Sequence, residues 1–232
     1  MMHIHWKSRQ GRQRISNNDA AAIAISQVST IAMVIDVAET GLNGQSLAKH
    51  WATTIVQKSF ALPHPITAEQ MIEIMRHEQR KLRHHYLHDV ASYSIVCIDH
   101  ESNHLDVLST GDCLVGLGGK SETPRWISHP QNVGHQYYSM PSVSVDQRAN
   151  GRHLLTNSLN ARRFDMPYTT SLSLLPDVAV LLSSDGYWVE HLQSGSNFDE
   201  LDDDASILTL TPGSRGVDSD TDCENLLILT PA

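Results

Sequence analysis

The chain has 232 residues, 40% of them hydrophobic, so it can bury a sizeable core and a single domain is the simplest organisation. No apolar run approaches the ~18 residues of a membrane span, and no secretory signal is recognisable, which predicts a cytoplasmic protein without a membrane partner. The formal net charge of −9 argues against nucleic acid as a partner, and the three cysteines form no C-x-x-C pair of the kind found in zinc-thiolate sites.

The first third of the chain changes from strand patterns to helical ones. Residues 2–7 alternate like an edge strand, and two later apolar runs, the second ending at Asp36, predict a hairpin. Apolar side chains at four-residue spacing predict a helix over Gly44–Phe60. Thr67, which can form a capping box with Gln70, begins a second helix, so we expect a helical pair lying on a sheet.

From residue 91 onward the pattern is one of strands with a long interruption. Strands are expected at 91–98, 104–110, 113–117, 154–159, 165–175, 178–182 and 226–229. The stretch from 121 to 150 is loop-rich, residues 187–192 form a short helix, and residues 194–222 are mostly polar and irregular. Strand runs around a helical pair indicate an α+β fold.

Three of the apolar runs lead to a carboxylate. Asp36 ends one run, Asp185 follows another through two serines, and Asp112 follows a third through Gly111. An aspartate at a strand end presents its side chain beyond the sheet, although Asp-Gly after an apolar run is also a common turn. Several strands that each deliver one carboxylate predict a cluster of oxygen ligands.

Five short motifs also occur along the chain, one after another. They are GRQRISNND at 11–19, Asp36-Val37, Gly111-Asp112, Ser184-Asp185-Gly186 and an Asp-Cys-Glu-Asn segment at 222–225. This order resembles the PPM family, the metal-dependent type 2C Ser/Thr protein phosphatases, and the resemblance covers nearly the whole chain.

The resemblance implies one type 2C domain over residues 1–232, a four-layer α-β-β-α sandwich with two antiparallel sheets flanked by helices. It implies two Mn²⁺ or Mg²⁺ ions, and a further weaker one, on hard oxygen ligands. The implied ligands are Asp36, the Val37 carbonyl, Asp185 and Asp222, with Asp19 and Asp112 for the weaker ion.

The implied activity is hydrolysis of phosphoserine and phosphothreonine in a phosphoprotein by a water that two metal ions activate. Arg14 would bind the substrate phosphate, because a guanidinium fork matches two phosphate oxygens. The resemblance therefore assigns catalytic roles to Arg14, Asp36 and Asp185.

The chain departs from the family pattern around the site. Asn18 stands where the family has a glutamate, and Val37 stands where it has a glycine, so a branched side chain restricts that turn. Glu39 is a candidate replacement carboxylate, and Asp220 is an alternative to Asp222 as the last ligand.

Two other functions fit the same residues. One is a pseudophosphatase, a regulatory or binding module that keeps the fold after losing part of the site; the other is a hydrolase of small phosphate esters or nucleotides. His84 and His88, four residues apart, are more typical of a helix surface than of a transition-metal site. The acidic run at 199–204 is typical of a solvated loop.

Overall fold

Two β-sheets and a small set of helices make up the computed structural model, which describes residues 2–119, 123–137, 140, 144–213 and 215–229. The strands are β1 Met2–Arg9, β2 Asp19–Ile25, β3 Ser29–Val37, β4 Val90–Asp99, β5 His104–Thr110, β6 Leu114–Gly118, β7 Arg125–Trp126, β8 Leu159–Asn160, β9 Tyr168–Ser173, β10 Ala179–Ser183, β11 Ala205–Pro212, β12 Gly216–Thr221 and β13 Leu226–Leu229. The helices are α1 Gly44–Phe60, α2 Ala68–Gln79, α3 Val133–Tyr137 and α4 Val145–Gly151, with 3₁₀ turns at Arg80–His84 and Phe198–Glu200 and a π-helix at Gly186–Gln193.

The two sheets are mixed. One has the strand order β12-β1-β11-β10-β6-β7, and the other has β13-β2-β3-β4-β5-β9, with β8 beside the start of β4. Neighbouring strands are antiparallel except in the pairs β1–β12 and β2–β13. The predicted α+β class is confirmed, but the sheets are not wholly antiparallel, because β12 and β13 return to the outer edges and run alongside the first two strands.

The apolar runs of β2 and β3 are continuous because both faces of their sheet are covered. Alternate residues of a strand point to opposite faces. In β2, Ala21 and Ile23 belong to the core between the two sheets, whereas Ala22 and Ala24 pack in the core beneath the helices. Covering both faces leaves the strand ends as the place where polar side chains of this sheet can meet.

α1 and α2 form the predicted helical layer on one sheet. Leu47, Trp51 and Ile55, at four-residue spacing along α1, are buried there. The predicted capping box is also present: Thr67 Oγ1 accepts from the Gln70 N–H at 3.3 Å, and Gln70 Oε1 accepts from the Thr67 N–H at 2.9 Å. The first turn of α2 therefore has two of its otherwise unpaired donors satisfied.

The π-helix packs against the other sheet, in the place where the sequence predicts a short helix. Its wide winding shows in the hydrogen bond from Ser194 N to the Val189 carbonyl oxygen, five residues back, at 3.0 Å. Trp188 and Val189 pack on Leu114 of β6. Trp188 Nε1 also donates to the Asp112 carbonyl oxygen at 2.9 Å, so this helix is tied to one of the candidate site residues.

Residues 194–222, predicted to be irregular, contain two strands. β11 lies inside its sheet between β1 and β10, and β12 lies at the edge. The apolar pattern of β11 is interrupted by Ser206, which is fully buried and shares a hydrogen bond of 2.8 Å with Ser8 Oγ of β1. A buried hydroxyl that has a partner is tolerated inside a sheet, so this polar residue does not mark a loop.

The stretch from 121 to 150, predicted to be loop-rich, carries the short elements β7, α3 and α4. Part of it, at 121–122, 138–139 and 141–143, lies outside the described residues. None of the helices in the described ranges is both long and apolar enough to cross a membrane.

Candidate active site

Strand ends from both sheets meet around a cavity of about 430 Å³. Asp36 lies near the end of β3, opposite Asp19 at the start of β2 in the antiparallel register. Asp185 follows β10 after one intervening serine, and Asp112 lies in the turn between β5 and β6. Asp36, Asp112 and Asp185 line the cavity, and Asp19 is fully buried. The fold therefore brings the predicted strand-end aspartates together.

The turn that carries Asp112 depends on a glycine. Gly111 has a φ of +80°, and a Cβ at that position would lie 2.1 Å from Ser92 Oγ. Glycine provides both the left-handed backbone and the close approach. Ser92 Oγ donates to Asp112 Oδ1 at 2.7 Å and accepts from the Asp112 N–H at 3.1 Å, so β4 holds the Asp112 side chain in place.

Two aspartates that the sequence assigned to a solvated loop also line the cavity. Asp203 and Asp204 directly precede β11, and because β11 runs antiparallel to β10, its start lies at the same sheet edge as the end of β10. Asp204 accepts from the Gly11 N–H at 2.9 Å and from the Asn18 N–H at 2.7 Å. It thereby holds the first loop against the cavity. An acidic pair before an apolar strand was the available signal.

The other predicted ligand, Asp222, lies elsewhere. Its Oδ2 accepts from the Gln10 N–H at 2.8 Å, and the side chain does not line the cavity. Asp220, the alternative, forms an ion pair with Arg9. Asp220 lies in β12 and Asp222 directly after it, at the outer edge of the sheet, and neither residue lines the cavity. The late carboxylates at the site are Asp203 and Asp204 instead.

Five of the clustered carboxylates, Asp19, Asp36, Asp112, Asp185 and Asp204, have raised pKa values. Burial, followed by the neighbouring carboxylates, raises the pKa of Asp36 and of Asp185 well above the ordinary range. Burial and then the charge of Asp204 raise the pKa of Asp19 to about 8, and burial raises the pKa of Asp204 to about 6. A bound cation would favour the charged forms and reverse these shifts.

The chemistry of the donors fits a hard divalent cation. Asp19 Oδ2 accepts from Ser184 Oγ at 2.8 Å, but Asp19 Oδ1 is buried and has no partner among the described residues. Mg²⁺ and Mn²⁺ prefer such carboxylate oxygens. As the side chains stand, no three His, Cys, Asp or Glu residues in the described ranges converge into a ready-made metal-binding group. Holding an ion therefore requires the carboxylates to close around it.

Arg14 lies at the cavity, where the resemblance predicts a phosphate-binding residue. Its Nε donates to Asp203 Oδ1 at 2.6 Å, and its Nη1 donates to Glu39 Oε2 at 3.0 Å. The hydrogen bond with Asp203, followed by the charges of both carboxylates, raises the pKa of Arg14 above its ordinary value despite partial burial. The guanidinium is therefore permanently charged and is shared by two carboxylates.

The two departures from the family pattern are accommodated. Asn18 lines the cavity and its Oδ1 accepts from Ser16 Oγ at 3.0 Å. Val37 also lines the cavity, while its side chain belongs to the core beneath α1. The branched side chain of Val37 is therefore packed in the core, and its backbone remains at the site.

Three histidines remain to be placed, one at the cavity and two on the surface. His153 lines the cavity, which the sequence did not predict, since nothing in its local pattern sets it apart. His84 ends the 3₁₀ turn that follows α2, and both His84 and His88 are exposed. They do not share a helical face, and the surface interpretation fits these positions.

Solved structures identify the fold of this chain. No family model matches the chain, and no curated protein matches it in sequence. Solved structures do match: the chain has the fold of the PPM Ser/Thr phosphatases, as its motifs predict.

Three similar structures illustrate the match. The Ser/Thr phosphatase Stp1 from Staphylococcus aureus has a TM-score of 0.75 at 14% identity, over 92% of this chain and 96% of that one. The PPM phosphatase MsPP from Mycobacterium smegmatis has 0.70 at 16%, over 90% and 98%. The catalytic domain of PstP, solved with 2 manganese ions, has 0.68 at 12%, over 90% and 97%. At these identities the likeness is one of fold.

Proposed function

We propose that this chain is a metal-dependent phosphoprotein phosphatase acting on phosphoserine and phosphothreonine. The observation that carries the proposal is a single cavity, on a PPM fold, where Arg14 meets five aspartates of the described chain. These aspartates are Asp36, Asp112, Asp185, Asp203 and Asp204. A cation at a carboxylate cluster and a guanidinium beside it are complementary to a phosphoryl group.

The residues have distinct roles in the proposed reaction. Two Mn²⁺ or Mg²⁺ ions, with a third bound more weakly, would supply the Lewis acidity that activates water and neutralises phosphoryl oxygens, held by Asp36, Asp185, Asp203 and the Val37 carbonyl. Arg14 binds the phosphoryl oxygens and orients the ester. Asp204 fixes the loop that carries Arg14, through the Gly11 and Asn18 amides. Asp112 and Asp19 would hold the weaker ion.

The test is hydrolysis of p-nitrophenyl phosphate and of a phosphothreonine peptide with Mn²⁺, comparing the wild type, Asp185→Asn and Asp177→Asn. Asp177 is exposed, lies outside the cavity and has a positive φ that asparagine also tolerates, so its variant is the matched control. We expect Asp185→Asn to lose more than about 100-fold in activity, beyond the range that outer-shell changes cause. Turnover that persists in excess chelator would contradict the proposal.

A pseudophosphatase is the second candidate function. It is favoured by Asn18 in the cavity wall and by the lack of a converged ligand group among the described residues. A folded wild type that binds a phosphopeptide but hydrolyses neither substrate with Mn²⁺ or Mg²⁺ would favour it. Faster hydrolysis of a nucleotide than of the phosphopeptide would favour the small-ester hydrolase.

The cellular assignments are part of the same proposal. A phosphoprotein is the partner that the proposed reaction requires. The cytoplasmic location and the single domain over 1–232 stay predictions from the sequence, as does the absence of a nucleic-acid partner.

A further inference from the structure

Glu39 contacts two donors on the loop that carries the phosphate-binding arginine. Its Oε2 accepts from Arg14 Nη1 at 3.0 Å, and its Oε1 accepts from the Ile15 N–H at 3.3 Å. A guanidinium and a neighbouring backbone amide that point at one carboxylate form a small anion-binding site. In this structure that anion-binding site is filled by a side chain of the protein itself.

The second carboxylate on Arg14 is held differently. Asp203 Oδ1 accepts from Arg14 Nε at 2.6 Å and also from the Asp204 N–H at 2.8 Å. The Asp203 side chain is 23% exposed and the Glu39 side chain 36% exposed. Within the described residues, Glu39 has no hydrogen bond or ion pair beyond those with Arg14 and Ile15. Of the two, Glu39 is the one that can leave into water with little loss, since exposed ion pairs contribute little.

We propose that Glu39 is an internal anion that occupies the phosphate-binding donors of Arg14 and Ile15 and is displaced when a phosphate ester binds. The inference rests on the phosphatase function proposed for the same cavity. Glu39 lines that cavity, so its charge also repels an incoming phosphate dianion. Glu39 thereby lowers the affinity of the cavity for every phosphate ester that uses these two donors.

The test compares the full-length wild type with Glu39→Gln, which removes the charge and keeps the shape, and with Glu101→Gln. Glu101 is an exposed glutamate in the turn between β4 and β5 and is the matched control. The dissociation constant of inorganic phosphate is measured by calorimetry with Mn²⁺ present, and KM for p-nitrophenyl phosphate is measured in parallel. We expect Glu39→Gln to tighten phosphate binding roughly three- to ten-fold, as removal of a weak competing state does.

A double-mutant cycle locates the effect. In an Arg14→Ala background, Glu39→Gln should change phosphate affinity by less than about two-fold, because the competition is for that guanidinium. If Glu39 instead positions Arg14, Glu39→Gln weakens phosphate binding, and this result overturns the proposal. If Glu39 is a metal ligand, Glu39→Gln weakens Mn²⁺ binding, which also overturns it.

Phosphate binding separates this proposal from the proposed function. If Glu39→Gln tightens phosphate binding but neither form hydrolyses any substrate, the proposed competition by Glu39 is supported and the proposed phosphatase activity is refuted. If the wild type is an active phosphatase and Glu39→Gln leaves its phosphate affinity unchanged, the proposed function is supported and the proposed competition by Glu39 is refuted. If neither the wild type nor Glu39→Gln binds phosphate, the proposed competition by Glu39 is also overturned.

Discussion

Asp203 joins two functions in one side chain. It lines the cavity with the other aspartates. It also accepts the shorter of the two hydrogen bonds that the Arg14 guanidinium donates to carboxylates, at 2.6 Å. Losing its charge would weaken the proposed metal site and free the guanidinium at the same time. Asp222, the ligand that the motif order suggested, lies outside the cavity and accepts from the Gln10 N–H. The two residues therefore offer a direct comparison.

We expect Asp203→Asn to lower Mn²⁺ affinity and kcat/KM by at least 10- to 100-fold, the range that changes at a metal site cause, whereas Asp222→Asn changes each by less than about three-fold. A manganese titration of activity measures both quantities. Equal losses in the two variants would make Asp222 a member of the site and would contradict its position outside the cavity.

Some of the site residues could be predicted from the sequence and others could not. Asp36, Asp112 and Asp185 follow apolar runs, and the structure brings them to one cavity, as that pattern predicts. Asp203 and Asp204 were not predicted, because they belong to an acidic run and such runs are usually solvated. A carboxylate that precedes a strand also reaches this site only if that strand is antiparallel to its neighbour, as β11 is to β10. Strand direction is set by long-range pairing, which local pattern does not contain.

At the scale of elements, α2 is stabilised by its own first turn. The reciprocal bonds between Thr67 and Gln70 satisfy two donors of that turn. We expect Thr67→Ala to lower the free energy of unfolding by about 1 kcal/mol, measured by urea denaturation. Gln70→Glu, which keeps the reciprocal acceptor, is the control and should retain most of the stability.

Thr67→Ala should leave phosphate-ester hydrolysis unchanged, because neither residue of the capping box lines the cavity. A parallel loss of activity and of stability would mean that α2 supports the site through the sheet beneath it.

Elements were predicted well where one local rule decides them. α1 occupies the predicted Gly44–Phe60, and the capping box begins α2 as predicted. β11 and β12 were missed, since Ser206 is satisfied by Ser8 from the far end of the chain and the exposed residues of β12 carry little apolar pattern. The parallel pairs β1–β12 and β2–β13 were missed for the same reason, because edge pairing is decided by tertiary contacts.

At the scale of the whole molecule, the buried carboxylates link stability to pH. The pKa of Asp19 is raised to about 8 and that of Asp204 to about 6, so the folded chain holds protons that the unfolded chain, with ordinary aspartate pKa values near ~3.9, has released. Because the native state then binds more protons than the unfolded state, the free energy of unfolding falls as pH rises through this window.

We therefore expect the metal-free protein, in chelator, to lose stability between about pH 5 and pH 8, by at most about 1.4 kcal/mol per pH unit for each such carboxyl. Asp19→Asn should flatten the slope, and saturating Mn²⁺ should reduce it by favouring the charged carboxylates. Denaturant titrations at several pH values measure this. A stability that rises over the same window would contradict the clustering of these groups.

The loop that carries Arg14 is held by a residue that lies far along the chain. Asn18 and Asp204, whose hydrogen bond anchors that loop, are 186 residues apart in sequence, and Gly11 is anchored by the same carboxylate. While the protein is being made on the ribosome, this loop therefore lacks its Asp204 anchor until β11 has emerged and inserted between β1 and β10. Since contacts of such long range form late in folding, we expect a nascent chain to gain the proposed activity only when its synthesis is nearly finished.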